Sequence, residues 1–504
     1  MSLLSSAKSA LSGAASSAAG SLAGGITGAA SKLTYSQLKT TYMDFESPQA
    51  AIFFANTAFN NTGNFIIDDI YVEVTSDFEA SVATFRIYNI YDQKTSSFLY
   101  AQIKQQVCIG NVVDIVLGYL GVGKTVFHGF ISGLDFHFDD IGLPYLEVTC
   151  MDIKGVMMAS SYAQQISAAS YSAAVEQIFA RSVYASLMQG MSLQVTATPD
   201  ASSAAGGLAG AAGGLSGAAG GLAGVAGGLS GAASGLAGSV TGGLTNDLGG
   251  VSNNLPKAGN LAGGLGGLGG LGGAQSVSAT TIEMVAESDY EFVVKAAKRY
   301  NYEFFADKTT LYFRPAKSDT ASQAELAAGA GILEFSVGYS ISGLVGEVET
   351  RSVDAGTGKL VKSNKKLLQD AAIESKARAL VGGAQKVYID ASIQSQQDAD
   401  SRANSLYEQI SYRLGSFEAT CVGIPDLSPG RFIDVKGMGA PADNSFYITT
   451  VIHQLSSAGG YRTRLIGKTA KFGSALGGAA ALAGGASSLT GGASSLASGL
   501  GGLL

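Results

Sequence analysis

The stretch VDIVLGYLGVGKTVFHGFISGLDFHFD, residues 113–139, decides the fold class. Apolar residues alternate with other residues over two spans that meet at a group of glycines, which is the pattern of two strands joined by a turn. The residues predicted to lie on the buried faces are Val113, Ile115, Leu117, Val126, Phe130, Leu134, Phe136 and Phe138. A chain built around such a hairpin is predicted to be β-rich.

Similar patterns flank this stretch. The segments YVEVTS (71–76), FRIYNIYD (85–92) and PYLEVTCMD (144–152) alternate in the same way and are separated by short breaks. Short strands at close spacing are typical of an antiparallel barrel or sandwich. The later segments RFIDV, SFYITTVIHQL and GYRTRLIGK repeat the pattern, so a duplicated barrel is predicted.

A helix near residues 288–301 has the clearest signals. Ser288 and Glu291 form a capping box in the segment SDYE, and Asn301 suits the left-handed residue that ends a helix. The predicted core stripe is Phe292, Val293, Ala296 and Ala297. A hairpin is predicted to follow in YEFFADKTTLYFRP.

Two more helices are predicted. One lies near residues 172–189, with Ser172 as its cap and an apolar stripe of Val175, Ile178 and Phe179. The other runs near residues 397–414 and stops at Gly415.

Composition excludes several functions. The net charge of −7 and pI of about 5.1 argue against a nucleic-acid surface, which needs a basic stripe to neutralise phosphates. The three cysteines, Cys108, Cys150 and Cys421, are far apart and form no CxxC pair, which argues against a disulfide framework or a zinc site. The start of the chain lacks the compact apolar centre of a secretory signal.

The segment Gly118–Thr125 fits the phosphate-loop pattern GxxxxGK[ST]. That pattern binds phosphate only when a strand enters it and a helix leaves it. The residues after Thr125 alternate as a strand, so we predict a hairpin turn and no nucleotide site.

No catalytic residues, cofactor site or metal site are predicted. His128 and His137 are nine residues apart on one strand pattern, which in a regular strand places them on opposite faces. His453 alternates with Val451 and Leu455, as a core or interface histidine would.

Low-complexity tracts fill residues 1–32, 201–274 and 473–504. In the central tract leucine recurs every seven residues, at Leu208, Leu215, Leu222, Leu229 and Leu236. Glycine makes a lone helix of this kind poor in water, but small residues let helices approach closely. Two interpretations stay open: a flexible spacer, or an association tract that plugs a lumen, binds a tape-measure protein or touches a membrane.

In their order, the folded segments resemble the phage late control gene D family, which includes tail hub proteins of contractile phages and the hub half of VgrG proteins. The resemblance rests on FRIYNIYD, VDIVLGYLG, VFHGFISGLDFHF and YLEVTCMD, then on SDYEFVVKAAKRYNYEFFAD, LYFRP, CVGIPDLSPGRFIDVKGMG, SFYITTVIHQL and GYRTRL. It covers most of residues 60–190 and 280–470. The chain departs from a full VgrG pattern in its Gly/Ala/Leu tail, where no spike domain follows, and in its long apolar insert.

The resemblance implies a homotrimer with two tube-like barrels per chain, which forms a pseudo-sixfold ring. The ring would join the hexameric tail tube to a separate trimeric spike protein. Other baseplate proteins would be further partners, with the tape-measure protein or a membrane as additional candidates and no sequence-specific nucleic acid. The particle would be a phage tail or injection system made in the bacterial cytoplasm.

The predicted fold class is β-rich α+β, with two tube-like antiparallel barrels and a smaller α/β domain between them. The predicted boundaries are residues 1–32, 33–155, 156–335 with the insert 201–274, 336–472 with a helical insertion, and 473–504. The predicted function is that of a non-enzymatic, trimeric baseplate hub. The alternatives are a membrane-active puncturing component, in which the apolar tracts insert into a membrane, and an enzyme such as a cell-wall hydrolase with an unrecognised site.

Overall fold

The computed structural model describes residues 32–59, 64–139, 142–198, 281–353, 358–366, 373, 375–390, 393 and 395–473. Most of the elements in these residues are strands, as the alternating patterns predict.

The first β part contains ten strands and one α-helix within the described residues. In chain order these are β1 Leu33–Thr34, α1 Tyr35–Thr41, β2 Pro48–Phe54, β3 Thr57–Ala58, β4 Ile66–Thr75, β5 Val82–Tyr88, β6 Tyr91–Asp92, β7 Ser97–Phe98, β8 Val112–Tyr119, β9 Val122–His137 and β10 Tyr145–Met151. Strands β2, β8, β9, β10, β5 and β4 form one antiparallel sheet in that order. Alternate residues of this sheet are buried, among them Val72, Phe85, Val113 and Val148.

The α/β part follows. Its elements are α2 Ile153–Met157, β11 Tyr162–Ser167, α3 Tyr171–Phe179, α4 Ala185–Met188, β12 Ser192–Val195, β13 Thr281–Glu287, α5 Asp289–Tyr300, β14 Tyr302–Asp307 and β15 Thr310–Pro315. β11 pairs with β13, and β12, β15 and β14 form a small sheet. The helices cover these sheets and share a core with them that includes Val175, Phe292 and Phe304.

The second β part closes into a barrel. Its elements are β16 Ser322–Ala328, β17 Gly331–Tyr339, β18 Glu347–Val353, β19 Leu360–Lys366, α6 Ser375–Val381, β20 Gln385–Ile389, α7 Gln396–Ser411, β21 Gly415–Val422, β22 Phe432–Lys436, β23 Asn444–Ser456 and β24 Gly460–Thr469. β16, β17, β21, β24, β23 and β22 pair in a ring of six, in which β16 runs parallel to both neighbours. β18, β19 and β20 form an inserted sheet packed against α7.

One continuous sheet joins the two β parts. β4 pairs antiparallel with β23 over six residue pairs, from Thr75 opposite Thr450 to Ile70 opposite Leu455. Buried residues of both β parts belong to a single hydrophobic core. The predicted fold class is therefore confirmed: β-rich, with two tube-like sheets and a smaller α/β part between them. The domain boundaries given above stay predictions.

The helix predictions are confirmed with small changes. α5 has the predicted capping box at Ser288, ends at Asn301 with φ +56°, and buries the predicted stripe. The span 172–189 contains two helices, α3 and α4, and Ser170 caps α3, whereas Ser172 bonds to Thr198. The last helix ends at Ser411, a little earlier than predicted.

The predicted faces of β9 are partly wrong, because two irregularities interrupt the strand. The pairing register shifts near Val126, opposite β8, and near Ser132, opposite β10. Each extra residue reverses which face the following side chains occupy. Phe130 therefore packs against the α/β core, while Phe136 and Phe138 are 43% and 60% exposed.

Candidate functional site

The segment that resembles a phosphate loop is a hairpin turn, as predicted. β8 ends at Tyr119 and β9 begins at Val122, so a strand leaves the turn. Leu120 and Gly121 both have positive φ, of +36° and +84°, which is the geometry of a tight hairpin turn. The backbone amides of this segment therefore belong to a pair of strands and do not lie at the N-terminus of a helix.

Lys124, the lysine of this segment, contributes to a junction between the three parts. Its ammonium forms an ion pair with Asp426, on the loop between β21 and β22. The Tyr42 hydroxyl also donates to the Asp426 carboxylate. From the α/β part, Lys308 donates to the Asp426 carbonyl over 2.9 Å. Asp426 thus connects the first β part, the α/β part and the second barrel.

Charged residues around this junction are buried. Burial raises the pKa of Asp307 and lowers the pKa of Lys308, its neighbour in the β14–β15 turn. Arg314 donates to Glu303 over 2.7 Å and to the Gly430 carbonyl over 2.7 Å. These bonds tie β14 and β15 to the loop that precedes β22.

The histidines have separate environments. The bulge at Ser132 places His128 and His137 on the same face of β9, so the prediction of opposite faces is wrong. They are still roughly 26 Å apart along the strand, too far to share a metal ion. His453 is a core histidine, as predicted: it bonds to Tyr461 over 2.9 Å, and burial lowers its pKa to about 3.

His128 is buried where the first β part meets the α/β part. Its Nδ1 lies 2.6 Å from Asp114 and its Nε2 lies 2.8 Å from the Leu187 carbonyl. His137 is exposed and stacks on Tyr145 with ring centroids 4.5 Å apart. Among the described residues, no group of three or more His, Cys, Asp or Glu could hold a metal ion.

The cysteines are free thiols, and Cys150 and Cys421 are buried. Burial raises the pKa of both thiols, to about 12 for Cys421. They are therefore protonated, unreactive core residues.

A large open cleft, of about 740 Å³, lies between α5, the second barrel and α7. We call it the basic cleft. Its charged lining residues are Lys298, Lys317, Arg402, Arg413, Lys468, Asp77 and Glu303. Its aromatic lining residues are Phe78, Tyr302, Tyr412 and Tyr447. No sequence pattern predicts this cleft, because its residues are far apart in the chain and form no local motif.

The predicted association tract, with Leu208, Leu215, Leu222, Leu229 and Leu236, lies outside the described residues. Its role stays a prediction. Within the ranges that the structure does describe, no helix is long and apolar enough to cross a membrane.

Solved tail proteins share this fold. The 43 kDa tail protein of prophage MuSo2 from Shewanella oneidensis matches with a TM-score of 0.50 and 11% identity, over 84% of this chain and 98% of that one. The tail protein from Neisseria meningitidis MC58 also has a TM-score of 0.50 and 11% identity, over 84% of this chain and 97% of that one. A component of the type VI secretion system from E. coli matches with a TM-score of 0.42 and 11% identity, over 82% and 76% of the two chains. The fold is that of phage-type tail proteins.

One family model matches part of the sequence. Residues 273–457 match the model of a family described as the Alg8 N-terminal domain. That range is less than half of the chain and leaves out the whole first β part, so it does not account for the fold. No curated protein matches the sequence.

Proposed function

We propose that the protein is a structural, non-enzymatic baseplate hub of a contractile tail or injection system, of the late control gene D and VgrG kind. Three chains form a ring that joins the hexameric tail tube to a separate trimeric spike. The protein is made in the bacterial cytoplasm and acts in the assembled particle, next to other baseplate proteins.

The observation that carries this proposal is the fold shared with tail proteins over 84% of the chain. Each chain contributes two tube-like sheets, so a trimer presents six. That number matches a hexameric tube on one side and a threefold spike on the other, which is the symmetry problem that a hub must solve.

The joint between the two β parts supports the same role. The β4–β23 ladder makes one sheet of both, and their side chains share a core. A part of a tail that transmits force needs such rigid connections and large subunit interfaces. The most prominent motif of the sequence, the glycine-rich hairpin, places its lysine in a structural ion pair with Asp426.

The oligomeric state tests the proposal. Light scattering coupled to size-exclusion chromatography, with native mass spectrometry, should give three times the chain mass of 51.1 kDa. Negative-stain images of the same sample should show rings with six similar lobes. A single-chain mass over the whole micromolar range would contradict the hub.

A further inference from the structure

The basic cleft has a charge opposite to that of the whole chain. The chain carries a formal net charge of −7, yet five basic and two acidic side chains line the cleft. One of the two acids, Glu303, is already engaged by Arg314 and by the Tyr447 hydroxyl. The cleft is therefore a local site of positive potential on an acidic protein.

Most of the cations in the cleft lack a close carboxylate. Lys298, Arg413 and Lys468 have no ion pair with any described residue. The ammonium of Lys317 lies 3.9 Å from its nearest carboxylate, on Glu408, and stands over the Tyr412 ring at 4.6 Å. Arg402 differs, because Asp390 lies 3.2 Å away.

Lys317 is the cation whose environment most favours an incoming anion. Its side chain is only 13% exposed, and burial lowers its pKa despite the opposing effect of Glu408. A buried ammonium without a closely bonded carboxylate has lost hydration that an anion could replace.

The shape of the site favours an extended ligand over a single ion. A second cleft of about 560 Å³ shares Lys298 and Arg402 with the basic cleft and adds Lys295 and Arg299 from the same face of α5. The two clefts adjoin at these shared residues, and cations line both of them. We call the two together the groove. The aromatic rings on its walls offer apolar surface, against which the side chains of an extended ligand can pack.

We propose that the basic cleft binds an acidic peptide segment of a partner protein, with its carboxylates on Lys317, Arg413 and Lys468. A peptide places carboxylates at intervals and packs its other side chains on the aromatic walls. A nucleic acid fits less well: Asp77, Glu291 and Asp390 interrupt the groove, and the net charge of the chain repels a continuous phosphate backbone.

The test uses the full chain and a fluorescein-labelled deca-glutamate peptide, followed by anisotropy at low ionic strength. We expect saturable binding that weakens as salt is added. The double variant Arg413→Gln/Lys468→Gln should bind about tenfold more weakly. The control variant Arg462→Gln/Lys436→Gln removes the same charge outside the cleft and should bind as the wild type does.

Three results would overturn this proposal: no saturable binding, an equal loss in the control variant, or displacement of the peptide by an oligothymidylate at lower concentration than by unlabelled deca-glutamate. The variant Arg413→Lys/Lys468→Arg keeps the charge and should keep the affinity, which separates charge from a folding defect. The trimer mass is measured independently, so failure here leaves the hub proposal intact.

Discussion

Both ring nitrogens of His128 face oxygen acceptors. Nδ1 lies 2.6 Å from the Asp114 carboxylate, and Nε2 lies 2.8 Å from the Leu187 carbonyl. A neutral imidazole has one N–H, so only the imidazolium can donate to both. Burial opposes the charge, but the hydrogen bond and charge of Asp114, with the Leu187 carbonyl, raise the pKa of His128 above its usual value.

A raised pKa in the folded state makes stability depend on pH. The contribution of His128 is complete below the unfolded pKa of about 6.5 and is lost as pH rises through the folded value. We expect the free energy of unfolding in urea to fall, as the pH rises above about 6.5, more steeply in the wild type than in His128→Gln. The exposed His137→Gln should keep the wild-type slope. If the unfolding free energy of the wild type and of His128→Gln depends on pH in the same way, His128 is not an imidazolium in the folded protein.

Asp426 and Lys124 form one ion pair but should differ in their effect on stability. Lys124 is about half exposed, whereas the Asp426 side chain is nearly buried and also accepts from Tyr42. Lys124→Ala should cost about 0–1 kcal/mol of unfolding free energy. Asp426→Ala leaves the Tyr42 hydroxyl without its acceptor and should cost about 1–3 kcal/mol. Urea unfolding of both variants measures which one loses more stability. A larger loss for Lys124→Ala than for Asp426→Ala would contradict this prediction.

At the scale of elements, α5 shows why a local signal can be predicted. The Ser288 hydroxyl caps the helix by accepting a hydrogen bond from the Glu291 amide. In return, the Ser288 amide donates to the Glu291 carboxylate over 2.7 Å. All the signals for this helix lie within about four turns of chain. The sequence therefore predicts its start, its buried face and its left-handed end at Asn301.

Other features depend on distant residues and could not be predicted. The bulges of β9 exist because of its pairing with β8 and β10, so the alternating pattern alone misplaced Phe130 and Phe136. The basic cleft combines Asp77 with Lys468, which only the folded chain brings together. β16 runs parallel to all three of its partners, β1, β17 and β22, a pairing with no signal in its own sequence.

The cap of α5 should contribute measurably to the stability of the protein. Ser288→Ala removes the side chain that satisfies the Glu291 amide and should destabilise the protein by about 1 kcal/mol, whereas Ser288→Thr keeps a capping hydroxyl and most of the stability. Urea unfolding compares the two variants. If Ser288→Ala and Ser288→Thr lose the same amount, the hydrogen bond is not the cause.

At the scale of the molecule, the two β parts behave as one structure. The β4–β23 ladder places Val74 opposite Val451, and both side chains are buried in the common core. The β4–β23 ladder is the seam between the two parts, and neither sheet can separate from it without exposing apolar surface of the other. Two tube-like sheets joined in this way should open together rather than as independent units.

Hydrogen exchange measures this coupling. Val148 belongs to β10, in the first β part, and is fully buried. Val148→Ala should cost about 2 kcal/mol through lost burial and the cavity left behind. Because the parts open together, amides of β24 in the second barrel should lose as much protection as amides of β5.

Leu333→Ala, at a half-exposed position of β17, serves as the control and should leave both sets of amides unchanged. Loss of protection in β5 alone would show that the barrel is an independent unit, and the seam would then be a contact between two separately stable parts.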